Sequence, residues 1–150
     1  MKVVLDTNVL IAAFKDEYSY QKRIINEIIG GRIEAFANYQ TIRENRLILK
    51  REISNDEYRQ ELEDFFAQVV PIHNSHSVRV IADPEDSKIL GSAVDAEADY
   101  LISEDKHLLE IGEYENVKII EPIAFWKTYE EEIGVDPWQK WVKFISEHNG

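Results

Sequence analysis

Short apolar or β-branched runs alternate with helix-length segments along most of this chain, and that alternation constrains the fold more than any other feature. Lys2 to Leu5, Ile33 to Ala37, Val69 to Ile72, Tyr100 to Ile102 and Val117 to Ile120 read as strands. Pro71 places the third at an edge or an end of the sheet. Between them the spacing predicts helices over 7–14, 20–29, 39–51, about 55–67, 85–97, a short one from Lys106, and one over 123–129. In the second helix Ile24, Ile25, Ile28 and Ile29 repeat at three- and four-residue steps between a Ser19 cap and Gly30-Gly31. Strands that alternate with helices form a parallel sheet covered on both faces. The expected fold class is α/β, a three-layer α/β/α sandwich around a mainly parallel sheet of four to five strands.

Two parts are expected. Residues 1–130 form one domain, and 131–150 form a helical extension. There Trp138, Trp141, Phe144 and Ile145 recur on one stripe, which packs on the domain or on a second copy of the chain. The start, Met1-Lys2-Val3-Val4-Leu5-Asp6, is too short in its apolar run for a signal peptide. No run approaches the roughly 20 apolar residues of a membrane span. With no cysteine, disulfides, thiolate metal sites and cysteine nucleophiles are excluded, and a cytoplasmic location is the expectation. A net charge of −12 argues against a protein that coats nucleic acid nonspecifically. It leaves room for a carboxylate site with a local basic stripe beside it.

In an open α/β sheet, ligands bind beyond the carboxyl ends of the strands. Asp6 follows the first strand and Asp105 lies just past the fourth. Asp86 opens the helix that leads into the fourth strand, after Asp83-Pro84-Glu85. Glu44 lies inside a helix and needs packing to bring it near the others. Hard divalent cations prefer oxygen ligands, and carboxylates from separate segments suit them. Each acid also has a plainer reading. Asp6, Asp83, Asp86 and Asp105 all stand where helix caps stand, and Glu44 is equally a solvated helix residue.

Leu5-Asp6-Thr7-Asn8-Val9-Leu10 resembles the opening motif of the PIN domain. Asp83-Pro84-Glu85-Asp86 and the segment from Ala98 to Leu109, with Ser103-Glu104-Asp105, are similar to its second half. The resemblance runs over about residues 1–125 and points toward the toxins of toxin–antitoxin pairs. It implies an endoribonuclease that uses Mg²⁺ or Mn²⁺. Asp6, Glu44, Asp86 and Asp105 match the four family acids, Asn8 a supporting polar position, and Ser103 the hydroxyl residue two before the last acid. The partners it implies are RNA and an antitoxin, and a homodimer is a further possibility; no membrane partner is expected. Asn45 and Glu104 depart from the family pattern, where a small or apolar residue and Gly or Asn are usual.

Arg43, Arg46, Lys50 and Arg51 share the helix of Glu44 and are the candidate RNA contacts, with a solvated face as the alternative. Two other readings stand beside the nuclease. One is a PIN scaffold that binds without turning over. The other is a phosphoacceptor signalling domain, which wants paired acids after the first strand, where this chain has Thr7 and Asn8 beside Asp6. The four histidines show no metal-ligand spacing.

Overall fold

The computed structural model describes residues 1–74, 78, 81–133, 141, 145 and 146. Its strands are β1 (Lys2–Leu5), β2 (Glu34–Asn38), β3 (Val70–Ile72), β4 (Tyr100–Ile102), β5 (Glu113–Tyr114) and β6 (Val117–Ile120). Its helices are α1 (Thr7–Ala13), α2 (Tyr20–Ile29), α3 (Tyr39–Glu52), α4 (Asp56–Gln68), α5 (Pro84–Asp95), α6 (Lys106–Ile111) and α7 (Pro122–Glu132).

The sheet has six strands in the order β3-β2-β1-β4-β6-β5. All neighbours run parallel except the β5–β6 pair. The expected class is therefore correct and the strand count is one short. The additional strand, β5, belongs to a hairpin whose two-residue turn, Glu115-Asn116, has positive φ at both positions (44° and 70°). Turns of this type usually announce themselves by Asn-Gly or Asp-Gly, and Glu-Asn gives no such signal. Pro71 does sit on an edge strand, β3.

Alternation along the strands divides the core into two layers. Val3, Leu5, Tyr100 and Ile102 face one side, with Leu10, Phe14, Ile24, Ile25, Ile28, Leu49, Phe65 and Phe125. Val4, Leu101, Val117 and Ile119 face the other, with Leu90, Ala93 and Leu108 from α5 and α6. A strand buried on both faces needs apolar residues at consecutive positions, which is why these strands read as unbroken apolar runs.

Helix starts follow local chemistry. Ser19 accepts from Lys22 N at 3.1 Å, Asn38 from Thr41 N at 2.7 Å and Asp83 from Glu85 N at 2.8 Å, each satisfying an amide that the helix leaves orphaned. At α4 the cap is Asn55, through Glu57 N at 2.9 Å.

Among the described residues one charged side chain, Lys22, is buried in the core. The Lys22 ammonium bonds the Glu61 carboxylate and Asn26 Oδ1, and sits 5.2 Å from the centre of the Phe14 ring. A cation this deep in the fold requires such a partner. Among the described residues no helix is long and apolar enough to cross a membrane. The expected stripe beyond residue 130 falls mostly outside the described residues, Trp138 and Phe144 included. Within it, Trp141 is exposed and Ile145 partly buried.

Candidate catalytic site

The chain runs from β1 outward to β2 and β3, then returns to lay β4 on the other side of β1. The crevice at the carboxyl ends of β1 and β4 is thus a topological switch point, where open α/β sheets bind ligands. Asp6 is the first residue past β1, and its amide donates to Ile102 O at the end of β4 (3.0 Å). Ser103 and Asp105 follow β4 directly. Asp86 stands in the first turn of α5, the helix that enters β4, so its N-terminus opens on the same end of the sheet.

Asp6 occupies the N-cap position of α1, yet its side chain makes no cap hydrogen bond. Instead it accepts from Ser103 Oγ at 2.7 Å. Ser103 is fully buried, and the same Oγ accepts from the amide of Asp105 at 3.0 Å. One hydroxyl therefore links two of the acids. Asp105 also caps α6, with Oδ1 accepting from His107 N at 2.8 Å. Its cap role and a role in the crevice are compatible, because Oδ2 takes no part in the cap.

The electrostatics tie three aspartates together. Burial pushes the Asp6 carboxyl up, the Ser103 hydrogen bond opposes this, and the charge of Asp105 adds to the rise. Asp86 is pushed up to about 6, first by burial, then by the charges of Asp105, Asp83 and Asp6, with His107 pulling the other way. Like charges gathered in a half-buried crevice raise one another's proton affinity. Glu44 is not among the charges acting on Asp6 or Asp86.

Glu44 is half-buried and lies one residue before the buried Asn45. Asn45 Oδ1 accepts from Thr7 Oγ1 at 2.8 Å, so α3 is tied to the residue that follows Asp6. Asn8 is exposed, and its side chain holds none of the acids. Among the described residues no three Asp, Glu or His side chains stand close enough to share one ion. The donor set of the crevice nonetheless suits a hard divalent cation. It is all oxygen, it comes from separate segments, and its charges are uncompensated.

The basic stripe divides. Arg46 lies over the Phe66 ring, 4.5 Å from its centre, with Glu63 at 3.7 Å, and Lys50 lines the same α3–α4 groove. Arg43 and Arg51 are exposed.

Sequence reading missed a second buried link. Asn38 Nδ2 donates to Ser92 Oγ at 2.9 Å while Asn38 Oδ1 caps α3, so one side chain joins the helix of Glu44 to the helix of Asp86. The Asn that precedes a helix signals the cap. The partner on α5 has no signal in sequence.

A mostly parallel three-layer sandwich with carboxylates gathered at its switch point is the architecture of a nuclease-type α/β domain. Comparison with known families matches residues 2–107 to the PIN domain, and the chain belongs to that family. No curated protein and no solved structure matches it.

Proposed function

We propose that this chain is an endoribonuclease that hydrolyses RNA phosphodiesters and depends on Mg²⁺ or Mn²⁺. The observation that carries this is the electrostatic coupling of Asp6, Asp86 and Asp105, three acids from three segments at one switch point. Uncompensated carboxylates in such a place are costly for folding alone. A divalent cation in the crevice would neutralise phosphate charge and lower the pKa of the attacking water.

Asp6, Asp86 and Asp105 are the ligands in this reading, and Glu44 orients the water or serves a second ion. Ser103 holds Asp6 through its Oδ2 oxygen. Asp105 is held at both ends, by its own amide on Ser103 and by its cap of α6. Arg43, Arg46, Lys50 and Arg51 supply local positive charge for RNA on a chain of −12. Within the PIN family the chain reads as the toxin of a cytoplasmic toxin–antitoxin pair, and a neighbouring reading frame for a small DNA-binding protein would support that.

A binding scaffold without turnover is the second reading, favoured by the spacing of the acids, no three of which share a point. Cleavage of single-stranded RNA separates the two. Purified protein with Mn²⁺ should cut, EDTA should stop it, and Asp86→Asn and Asp105→Asn should lose most activity while staying folded. Undiminished cutting by both variants, with contaminating nuclease excluded, would overturn the assignment; no cutting by the wild type would favour the scaffold.

A further inference from the structure

Thr7 and Asn45 each stand one residue past an acid of the proposed site, Thr7 after Asp6 and Asn45 after Glu44. Their side chains meet across 38 residues of chain, with Thr7 Oγ1 donating to Asn45 Oδ1 at 2.8 Å. β1 and β2 are parallel neighbours, so α1 and α3, which follow them, both start at the carboxyl end of the sheet. Both helices also pack on the same side of it, through Leu10 and Leu49. The bond therefore ties the helix of Glu44 to the start of α1, where Asp6 stands.

Packing alone does not call for a polar side chain here. Asn45 is buried, and it shares the wall of a cavity of about 20 Å³ with apolar residues alone, Leu5, Leu10, Ile42, Phe65 and Phe66 among them. Leucine has the same number of side-chain heavy atoms and needs no partner. A buried amide is costly unless it is bonded, and one neutral hydrogen bond returns little net stability. What Asn45 offers over leucine is direction. A hydrogen bond is oriented, so it fixes how α3 is set against α1, and Glu44 is carried with it.

We propose that Thr7 and Asn45 are a positioning pair that sets Glu44 for its part in cation uptake at the aspartate crevice. The proposal rests on the nuclease reading above, in which Glu44 serves the site, and adds the residues that place it. Neither Thr7 nor Asn45 is a ligand in this account. They act through Glu44, so their loss should matter only while Glu44 is present.

The test compares the wild type, Thr7→Ser, the paired variant Thr7→Val with Asn45→Leu, Glu44→Gln, and the paired variant combined with Glu44→Gln. Replacing both partners by apolar groups of like shape leaves no buried group unpaired. The paired variant should therefore melt within about 3 °C of the wild type in EDTA. Mn²⁺ affinity is read from the free-ion signal in electron paramagnetic resonance, and cleavage of single-stranded RNA from initial rates. The paired variant should bind Mn²⁺ about tenfold more weakly and lose about tenfold in kcat, with KM for RNA within about twofold. Glu44→Gln should weaken Mn²⁺ binding to a similar degree, and adding the paired change to it should cost less than about twofold more. Thr7→Ser keeps the donor and should stay within about twofold of the wild type.

Wild-type Mn²⁺ affinity and kcat in the paired variant overturn the positioning role and leave the nuclease reading standing. Full losses on top of Glu44→Gln also overturn it, because the pair then acts elsewhere. The expected pattern of Mn²⁺ affinities, with no cleavage by any of the proteins, supports the pair and overturns hydrolysis. No Mn²⁺ binding by the wild type overturns both. Should the paired variant fail to fold, Thr7→Val alone is read by the same criteria.

Discussion

Ser103 Oγ stands 2.7 Å from Asp6 Oδ2, and the hydroxyl that makes this bond also receives the amide of Asp105. Buried and apparently modest, Ser103 sets the geometry of two acids that come from different strands. Removing it takes away the side-chain donor to Asp6, the largest effect opposing burial, and lets that carboxyl rise further. Ser103→Ala should lower kcat/KM on RNA by about 10–100-fold, the usual scale for a residue that orients a metal ligand. It should also raise the Mn²⁺ concentration needed for half-maximal rate. A kcat/KM within twofold of the wild type, with unchanged Mn²⁺ dependence, would remove Ser103 from this role.

Asn38 carries a structural load of the same kind. Asn38→Ala deletes the cap of α3 and the bond to Ser92, a loss of about 2 kcal/mol. For a chain of this size that is roughly 4–8 °C in melting temperature. A change below about 1 °C would mean the link is redundant.

A pH dependence follows from the contact between α2 and α7. Tyr129 OH donates to Glu27 Oε2, and Arg32 Nε donates to the same oxygen at 2.7 Å. The Arg32 hydrogen bond, more than that of Tyr129, holds the Glu27 carboxyl below its ordinary 4.5, against the opposing effect of burial. Tyr129 is pushed up to about 12, first by burial and then by Glu27. A lowered carboxyl contributes stability above its unfolded value and loses it as pH falls through the folded one. A raised phenol contributes below its unfolded value of 10.0 and loses stability as pH climbs toward 12. Tyr129→Phe should cost about 1 kcal/mol at pH 7 and flatten the alkaline fall, and Glu27→Gln should flatten the acid fall that sets in as pH drops past the ordinary Glu value of 4.5. Melting curves across pH check this; slopes equal to the wild type in both variants would contradict it.

Arg46 has two roles to separate, since it packs on Phe66 and also belongs to the basic stripe. If it meets RNA, Arg46→Ala should weaken binding of an uncleaved RNA to Asp6→Asn protein. It should also reduce the slope of affinity against salt by about one unit. Unchanged affinity and slope would leave Arg46 as the cover of Phe66 and partner of Glu63.

Much of the layering was legible in sequence because strands buried on both faces must be apolar at every position, as in Val3-Val4-Leu5. Asp6 and Asp105 were legible because a strand end fixes which side of the sheet they reach. The placement of Glu44 was not, since a helix residue is placed by packing, to which the Thr7–Asn45 bond between segments far apart in the chain contributes. Asn45 stood out in sequence only as a departure from the family; its buried bond to Thr7 supplies the physical reason. The Asn38–Ser92 link and the β5 hairpin escaped for the same cause: each depends on a partner or a turn that local composition does not announce.

The central proposal is that the crevice bordered by Asp6, Asp86 and Asp105 takes up a divalent cation, and the Mn²⁺ dependence of the melting temperature tests it most directly. A ligand that binds only the folded state at 100 times its Kd adds about 2.7 kcal/mol, or roughly 5–10 °C here. Wild-type protein should show that rise over its value in EDTA. Asp6→Asn, Asp86→Asn and Asp105→Asn should each lose most of it, and Asp86→Asn should melt higher than the wild type in EDTA because it relieves burial and repulsion of a charge. An equal Mn²⁺ rise in the wild type and all three variants, or no rise in the wild type at saturating Mn²⁺, would contradict the claim.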